Sequence, residues 1–220
     1  MAKKLLVGTD IFDKLIQGSG YYVDKTEILY ELVEEMPNEV TLFTRPRRFC
    51  KTLTMSMLEN FFDIGRNSRD VFEGLAIMKH TKFCEKYMNR YPVLFISLKD
   101  VEGLTFEKAY GKLKTVIANS CKKHAYLESG ENVLPSDIEL FRKLQYETAD
   151  APNVENALIT IMRMMNTVCR MPVILLIDEY DVPLAKAHSS GYYQKMLDVI
   201  RGIMSILLKT NEAIRRTAVP

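Results

Sequence analysis

The chain has 220 residues, 47% of them hydrophobic and 26% charged, with a formal net charge of +2. That length suits one α/β domain with a well-buried core, and the near-neutral balance supplies no basic field for nucleic acid or a membrane surface. No stretch approaches the ~20 apolar residues of a membrane span, and the apolar run in the opening MAKKLLVGTDIF is too short for a signal peptide, so a cytoplasmic location is expected.

Residues 1–38 read as an N-terminal lead-in and helix. A glycine turn in GSGYYVDKTEILYELVEE gives way to helical spacing, with Ile28, Leu29, Leu32 and Val33 forming the stripe. Asp24 stands at the N-cap position and Glu27 three residues on, as in a capping box. EVTLFTRP follows as the first strand, about 40–45, which Pro46 ends. Residues 51–63 read as a helix with Leu53, Met57, Leu58, Phe61 and Phe62 near one side. YPVLFISL is a continuous apolar run, so the second strand, about 92–98, is buried on both faces.

Residues 99–153 then form a helical insertion between the second and third strands, with a long helix over about 105–126, a loop at LESGENVLPS and a helix over about 136–147. Another helix covers about 153–169; its methionines Met162, Met164 and Met165 suit core packing, because methionine fills irregular gaps. MPVILLIDEYD is the most apolar strand, about 172–178, and ends in acid. GYYQKMLDVIRGIMSILL is an amphipathic helix with Tyr193, Met196, Leu197, Ile200, Met204 and Leu207 at helical spacing. Strands alternating with helices predict an α/β fold with a mainly parallel sheet and helices on both faces, a three-layer α/β/α arrangement. Ligands in such sheets bind beyond the carboxyl ends of the strands.

Two candidate sites lie at strand ends. TLFTRPRRFCKTLTM has the order strand, loop, Lys-Thr, helix of a phosphate-binding loop, whose pattern is G-x-x-x-x-G-K-[ST]. Lys51 and Thr52 are in place, but Arg45 and Cys50 stand at the two glycine positions. A loop running over Arg47, Arg48, Phe49, Cys50, Lys51, Thr52 and Leu53 offers backbone donors, a cation and a helix N-terminus to a nucleotide phosphate. Lys51 would reach the β- and γ-phosphates and the Thr52 hydroxyl would bind Mg²⁺. The plain alternative is a basic turn with Lys51 in water; Arg47 and Arg48 equally suit salt bridges to Asp178 or Asp181. In VILLIDEYD four apolar residues run into Asp178 and Glu179, the pattern of a Walker B strand. Asp178 would hold Mg²⁺ and Glu179 would orient or deprotonate the attacking water. Two acids at a strand end point to opposite faces, which would divide the roles. The plain alternative is a turn with solvated acids. The four cysteines, Cys50, Cys84, Cys121 and Cys169, have no metal-ligand spacing and fit a reducing compartment.

The segments GTDIFDKLIQGSGYYVDKT, VTLFTRPRRFCKTLTMSMLENFF, YPVLFISLKD and VILLIDEYDVPL resemble the AAA-ATPase-like family of P-loop proteins over nearly the whole chain. The resemblance implies ATP and Mg²⁺ as ligands, hydrolysis, and a PD-(D/E)xK nuclease-like domain after the ATPase core. The family's loop reads T-R-P-R-R-F-G-K-T, so Arg45 follows the family and Cys50 departs from it. A Cβ and sulfur before the lysine crowd the phosphate, and if that position needs φ > 0 they add strain of about 1–2 kcal/mol. Two readings stay open: an ATP-hydrolysing domain that drives a partner or an attached nuclease-like domain, and a nucleotide-binding pseudo-ATPase interaction module disabled by Cys50. A nuclease within this chain is not supported, since no PD…(D/E)xK run occurs.

ATPases of this type order their strands 5-1-4-3-2. KTNEAIRRTAVP reads as the approach to strand 4, with Thr217, Ala218 and Val219 its first residues. Strand 5, a sensor residue, any arginine finger and the nuclease-like domain would lie beyond Pro220. The chain is therefore expected to be a C-terminally truncated domain. Its first strand would lose most of its pairing, and the product would be poorly stable, prone to self-association and nearly inactive alone.

Overall fold

The computed structural model describes residues 9–18, 21–35, 40–42 and 51–208 with their side chains, and the backbone of Lys209 and of 214–219. Four strands form one parallel sheet: β1 (Val40–Leu42), β2 (Val93–Ser97), β3 (Val173–Asp178) and β4 (Ile214–Val219). Their order is β1-β4-β3-β2, so β4 lies between β1 and β3 as in the four-strand part of the expected order. Two expectations about β4 are corrected. It begins at Ile214 rather than Thr217, and it pairs on both sides: Val40, Thr41 and Leu42 of β1 stand opposite Thr217, Ala218 and Val219. The first strand thus has its central neighbour.

The helices are α1 (Phe12–Gln17), α2 (Ile28–Tyr30, continuing as a π-turn over Glu31–Glu35), α3 (Lys51–Phe62), α4 (Arg69–Phe72), α5 (Thr81–Tyr87), α6 (Phe106–Lys123), α7 (Pro135–Gln145), α8 (Ala151–Glu155), α9 (Ala157–Cys169), α10 (Val182–Ser189) and α11 (Tyr193–Lys209). The single helix expected over 153–169 is two, broken at Asn156, and the expected loop at 127–136 holds a 3-10 turn ending at Ser129. Residues 64–90, which carry no clear periodicity, fold into α4, a 3-10 turn and α5. Asn89 ties them down from a left-handed backbone (φ 53°). Its amide donates to the carbonyls of Asn60 and Asp63, and its oxygen accepts from Ser68 N–H.

Alternation along β2 and β3 gives each face of the sheet its own core. Leu94, Ile96, Val173, Leu175 and Ile177 pack with α6, α9 and α11; Met162 and Met164 of α9 are fully buried there. Val93, Ile174 and Leu176 pack on the other face with Met55, Met57, Leu58 and Phe61 of α3 and with Phe12 of α1. In α11 the buried stripe is Met196, Ile200, Ile203 and Leu207, while Tyr193 is exposed.

The capping box expected at Asp24 and Glu27 does not form. Asp24 accepts from the N–H and hydroxyl of Thr26 and, 52 residues away, from Ala76 N–H. The Thr26 hydroxyl accepts from Ile77 N–H, and Glu27 meets the His80 ring nitrogen at 2.8 Å. A short polar side chain that satisfies a local turn also satisfies a distant one here, so the DKT motif staples α2 to the 76–80 turn.

Candidate functional site

The site grows from the carboxyl end of β3. All six residues of that strand are buried, and its side chains alternate between the two cores. Val173, Leu175 and Ile177 take one face; Ile174 and Leu176 take the other, so a period of two puts Asp178 on the face covered by α3. The first residues of α3 are Lys51 and Thr52, and both bear directly on the Asp178 carboxyl. The structure therefore brings together Lys51, Thr52 and Asp178 from opposite ends of the sequence.

Asp178 is wholly buried, and among the described residues neither carboxylate oxygen has a hydrogen-bond partner. Burial pushes its pKa above the ordinary carboxylate value, and the charge of neighbouring Glu179 pushes the same way. The Thr52 hydroxyl, the Glu179 N–H and the Lys51 charge pull it down without overcoming burial. A buried, unpartnered carboxylate is costly, and this one is kept beside a cation and a hydroxyl.

Glu179 lies outside the strand. Its φ is +57°, a left-handed conformation that a non-glycine residue adopts at a cost. Strand alternation therefore does not set its direction, contrary to the expectation of two acids on opposite faces; the bent backbone does. Glu179 is half-buried, and its N–H turns back toward the Asp178 carboxyl. Asp181, at the start of α10, has one buried oxygen without a partner among the described residues.

Ser97 escapes a motif search. It stands opposite Asp178 in the β2–β3 register, on the same face, and its hydroxyl is buried without a partner among the described residues. The only sequence signal is a serine closing an apolar strand. Arg47, Arg48, Phe49 and Cys50 lie outside the described residues. Leu53 is half-buried and packs against the core on the α3 face.

Among the described residues no group of three or more His, Cys, Asp or Glu side chains could hold a metal ion. The donors present are one carboxylate and one hydroxyl, hard oxygens that suit Mg²⁺, which takes few protein ligands and draws the rest from water and phosphate. The unpartnered Asp178 oxygens fit that role. Cys84 and Cys121 are buried free thiols, and burial pushes Cys121 up to about 12; neither adjoins the site.

These features describe an α/β protein whose polar cluster sits at the carboxyl edge of a parallel sheet, where such folds bind ligands. A family model described as predicted AAA-ATPase matches residues 6–219, and the chain belongs to this AAA-ATPase-like family. No curated protein and no solved structure matches the chain. Among the described residues no helix is long and apolar enough to cross a membrane.

Proposed function

We propose that the chain is a P-loop NTPase domain of three α/β/α layers that binds ATP with Mg²⁺ and hydrolyses it. The observation that carries this reading is the buried, unpartnered Asp178 carboxylate facing Thr52 and Lys51 at the start of α3. The parallel order β1-β4-β3-β2 and the core on each face support it, as does membership of the predicted AAA-ATPase family.

The N-terminus of the 12-residue α3 supplies backbone N–H groups and a positive dipole end for phosphate. Lys51 neutralises the β- and γ-phosphates. Thr52 and Asp178 would hold Mg²⁺, which when bound offsets charge on the phosphate oxygens. Glu179 takes the proton of the attacking water, a contribution of about 10²–10⁴ in rate. Hydrolysis drives a conformational change in a partner or an attached nuclease-like domain.

Cys50, standing where the family has glycine, favours a second reading: a pseudo-ATPase module that binds nucleotide but does not turn it over. Calorimetry and phosphate release on the native chain, Lys51→Ala, Glu179→Gln and Cys50→Gly separate the two. Expected are Mg²⁺-dependent ATP binding lost in Lys51→Ala, turnover at least a hundredfold lower in Glu179→Gln with binding kept, and roughly tenfold tighter binding in Cys50→Gly. Binding without turnover, with turnover restored by Cys50→Gly, selects the pseudo-ATPase. No Mg-ATP binding by either the native chain or Cys50→Gly overturns both.

A further inference from the structure

Beside the first two turns of α3 lies a hollow of about 180 Å³, lined by Tyr21, Tyr22, Val23 and Lys25 and by Leu53 and Met57. Pockets that enclose a whole ligand run to about 300–1,000 Å³, so this one takes a single moiety. It adjoins the candidate phosphate site: Leu53 follows Thr52 directly, and Met57 lies about 6 Å beyond Leu53 along the helix axis at 1.5 Å per residue.

The YYVDKT segment is divided in its work. Tyr22, Asp24 and Thr26 are anchors. The Tyr22 hydroxyl donates to the Met57 sulfur and its ring packs edge-on against Phe12, while Asp24 and Thr26 hold the 76–77 turn. Tyr21 and Val23, between those anchors, are 59% and 57% exposed. Two apolar side chains thus stand at the mouth of a hollow, each between residues anchored to the core or to the 76–77 turn. An aromatic ring held in this way is a stacking surface for a planar ring system.

We propose that this hollow is the base subsite and takes the purine of the nucleotide whose phosphates lie at Lys51 and Thr52. The purine stacks on Tyr21 and packs against Val23 and Leu53. This rests on the nucleotide reading above, and two probes separate the two ideas: Mg-ATP and inorganic tripolyphosphate, which has the phosphates and no base. Tyr21 is exposed, so its replacement leaves the core intact. The chain contains no tryptophan, so Tyr21→Trp also introduces a unique fluorophore.

Tyr21→Ala is expected to weaken Mg-ATP about tenfold or more by calorimetry and to leave tripolyphosphate unchanged. Tyr21→Trp is expected to keep native affinity, with fluorescence quenched by ATP and not by tripolyphosphate. If Tyr21→Ala leaves the ratio of the two affinities unchanged, or the fluorescence of Tyr21→Trp answers equally to both probes, the base lies elsewhere and the hollow is not its subsite. If Lys51→Ala fails to weaken tripolyphosphate, the phosphate reading fails, and the base subsite falls with it.

Discussion

Replacing Asp178 by asparagine tests whether the fold holds a carboxylate at its own expense. Asparagine keeps the shape and removes the charge. In the native chain that charge is wholly buried, and both its oxygens lack partners among the described residues. An unsatisfied buried polar group costs about 1–3 kcal/mol, and a charged one more. Asparagine leaves an amide in the same place, so only the charge part is recovered, and the loss of attraction to Lys51 subtracts from it. The net gain is about 1–2 kcal/mol, which at roughly 2–4 °C per kcal/mol for a chain of this size raises Tm by about 2–8 °C.

The pH dependence gives the sign. The folded pKa of Asp178 is raised above 3.8. Below 3.8 both states of the native chain are neutral at this position, and the native and Asp178→Asn chains are close in stability. As pH rises from 3.8 through the raised folded pKa, the unfolded chain releases its proton first, and the native chain loses stability relative to the variant. Above that window the gap is constant. Mg-ATP reverses the ranking: at 100 times Kd a ligand adds about 2.7 kcal/mol to the native chain, and little to the variant. Differential scanning fluorimetry from about pH 3.5 to 8, with and without Mg-ATP, reads all of this. A nucleotide-free variant no more stable than the native chain at neutral pH, or a gap that ignores pH, would show that Asp178 is satisfied in solution and that the reasoning fails.

Four further outcomes are expected. Arg163→Ala strands the buried Asp137 that it holds through two hydrogen bonds; because Arg163 is itself partly exposed the cost is about 2 kcal/mol, seen as a Tm lower by about 4–8 °C. Burial alone would raise the Asp24 pKa, but hydrogen bonds from Thr26 and Ala76 and the charge of Lys79 hold it below the ordinary value. Asp24→Asn therefore costs about 1 kcal/mol at neutral pH after allowance for solvent exposure, and the deficit closes as pH falls from 3.8 through the lowered folded pKa in a pH series of urea melts. Glu179→Gly relieves the left-handed backbone and stabilises the chain by about 1 kcal/mol in urea, while phosphate release falls at least a hundredfold. Ser97→Ala, which removes a buried hydroxyl that has no partner among the described residues, leaves the nucleotide-free Tm within about 2 °C but weakens the dependence of ATP binding on Mg²⁺ measured by calorimetry.

Much of the sheet is legible because its signal is local. VLFIS and VILLID are unbroken apolar runs, and a strand buried on both faces needs nothing else. The ends of those runs expose the site: an acid closing β3 and Lys-Thr opening α3 are visible as breaks in an apolar pattern. Other features depend on partners far away in sequence. Asn89 organises the 64–90 segment through bonds to Asn60, Asp63 and Ser68, which no periodicity registers. Asp24 and Glu27 have the spacing of a capping box, yet tertiary partners at Ala76 and His80 draw both away. Ser97 matters only because register sets it against Asp178. The backbone bend at Glu179 has no sequence signal, since glutamate is not a residue that left-handed geometry favours.

The distribution of unsatisfied groups separates a working edge from an acidic turn. Among the described residues seven buried side-chain oxygens lack a hydrogen-bond partner, and four of them belong to Ser97, Asp178 and Asp181. Folded chains satisfy nearly all buried polar atoms, so four such atoms at the ends of two neighbouring strands and the start of α10 are not incidental. An acidic turn serving only the fold would place its carboxylates in water, where they cost nothing, or pair them, as Asp137 is paired with Arg163. Here the adjacent residue adds backbone strain instead of relieving it. Buried polar groups left unsatisfied beside the well-packed β2 and β3 are what the proposed phosphate and Mg²⁺ site requires, donors and acceptors that a ligand would complement.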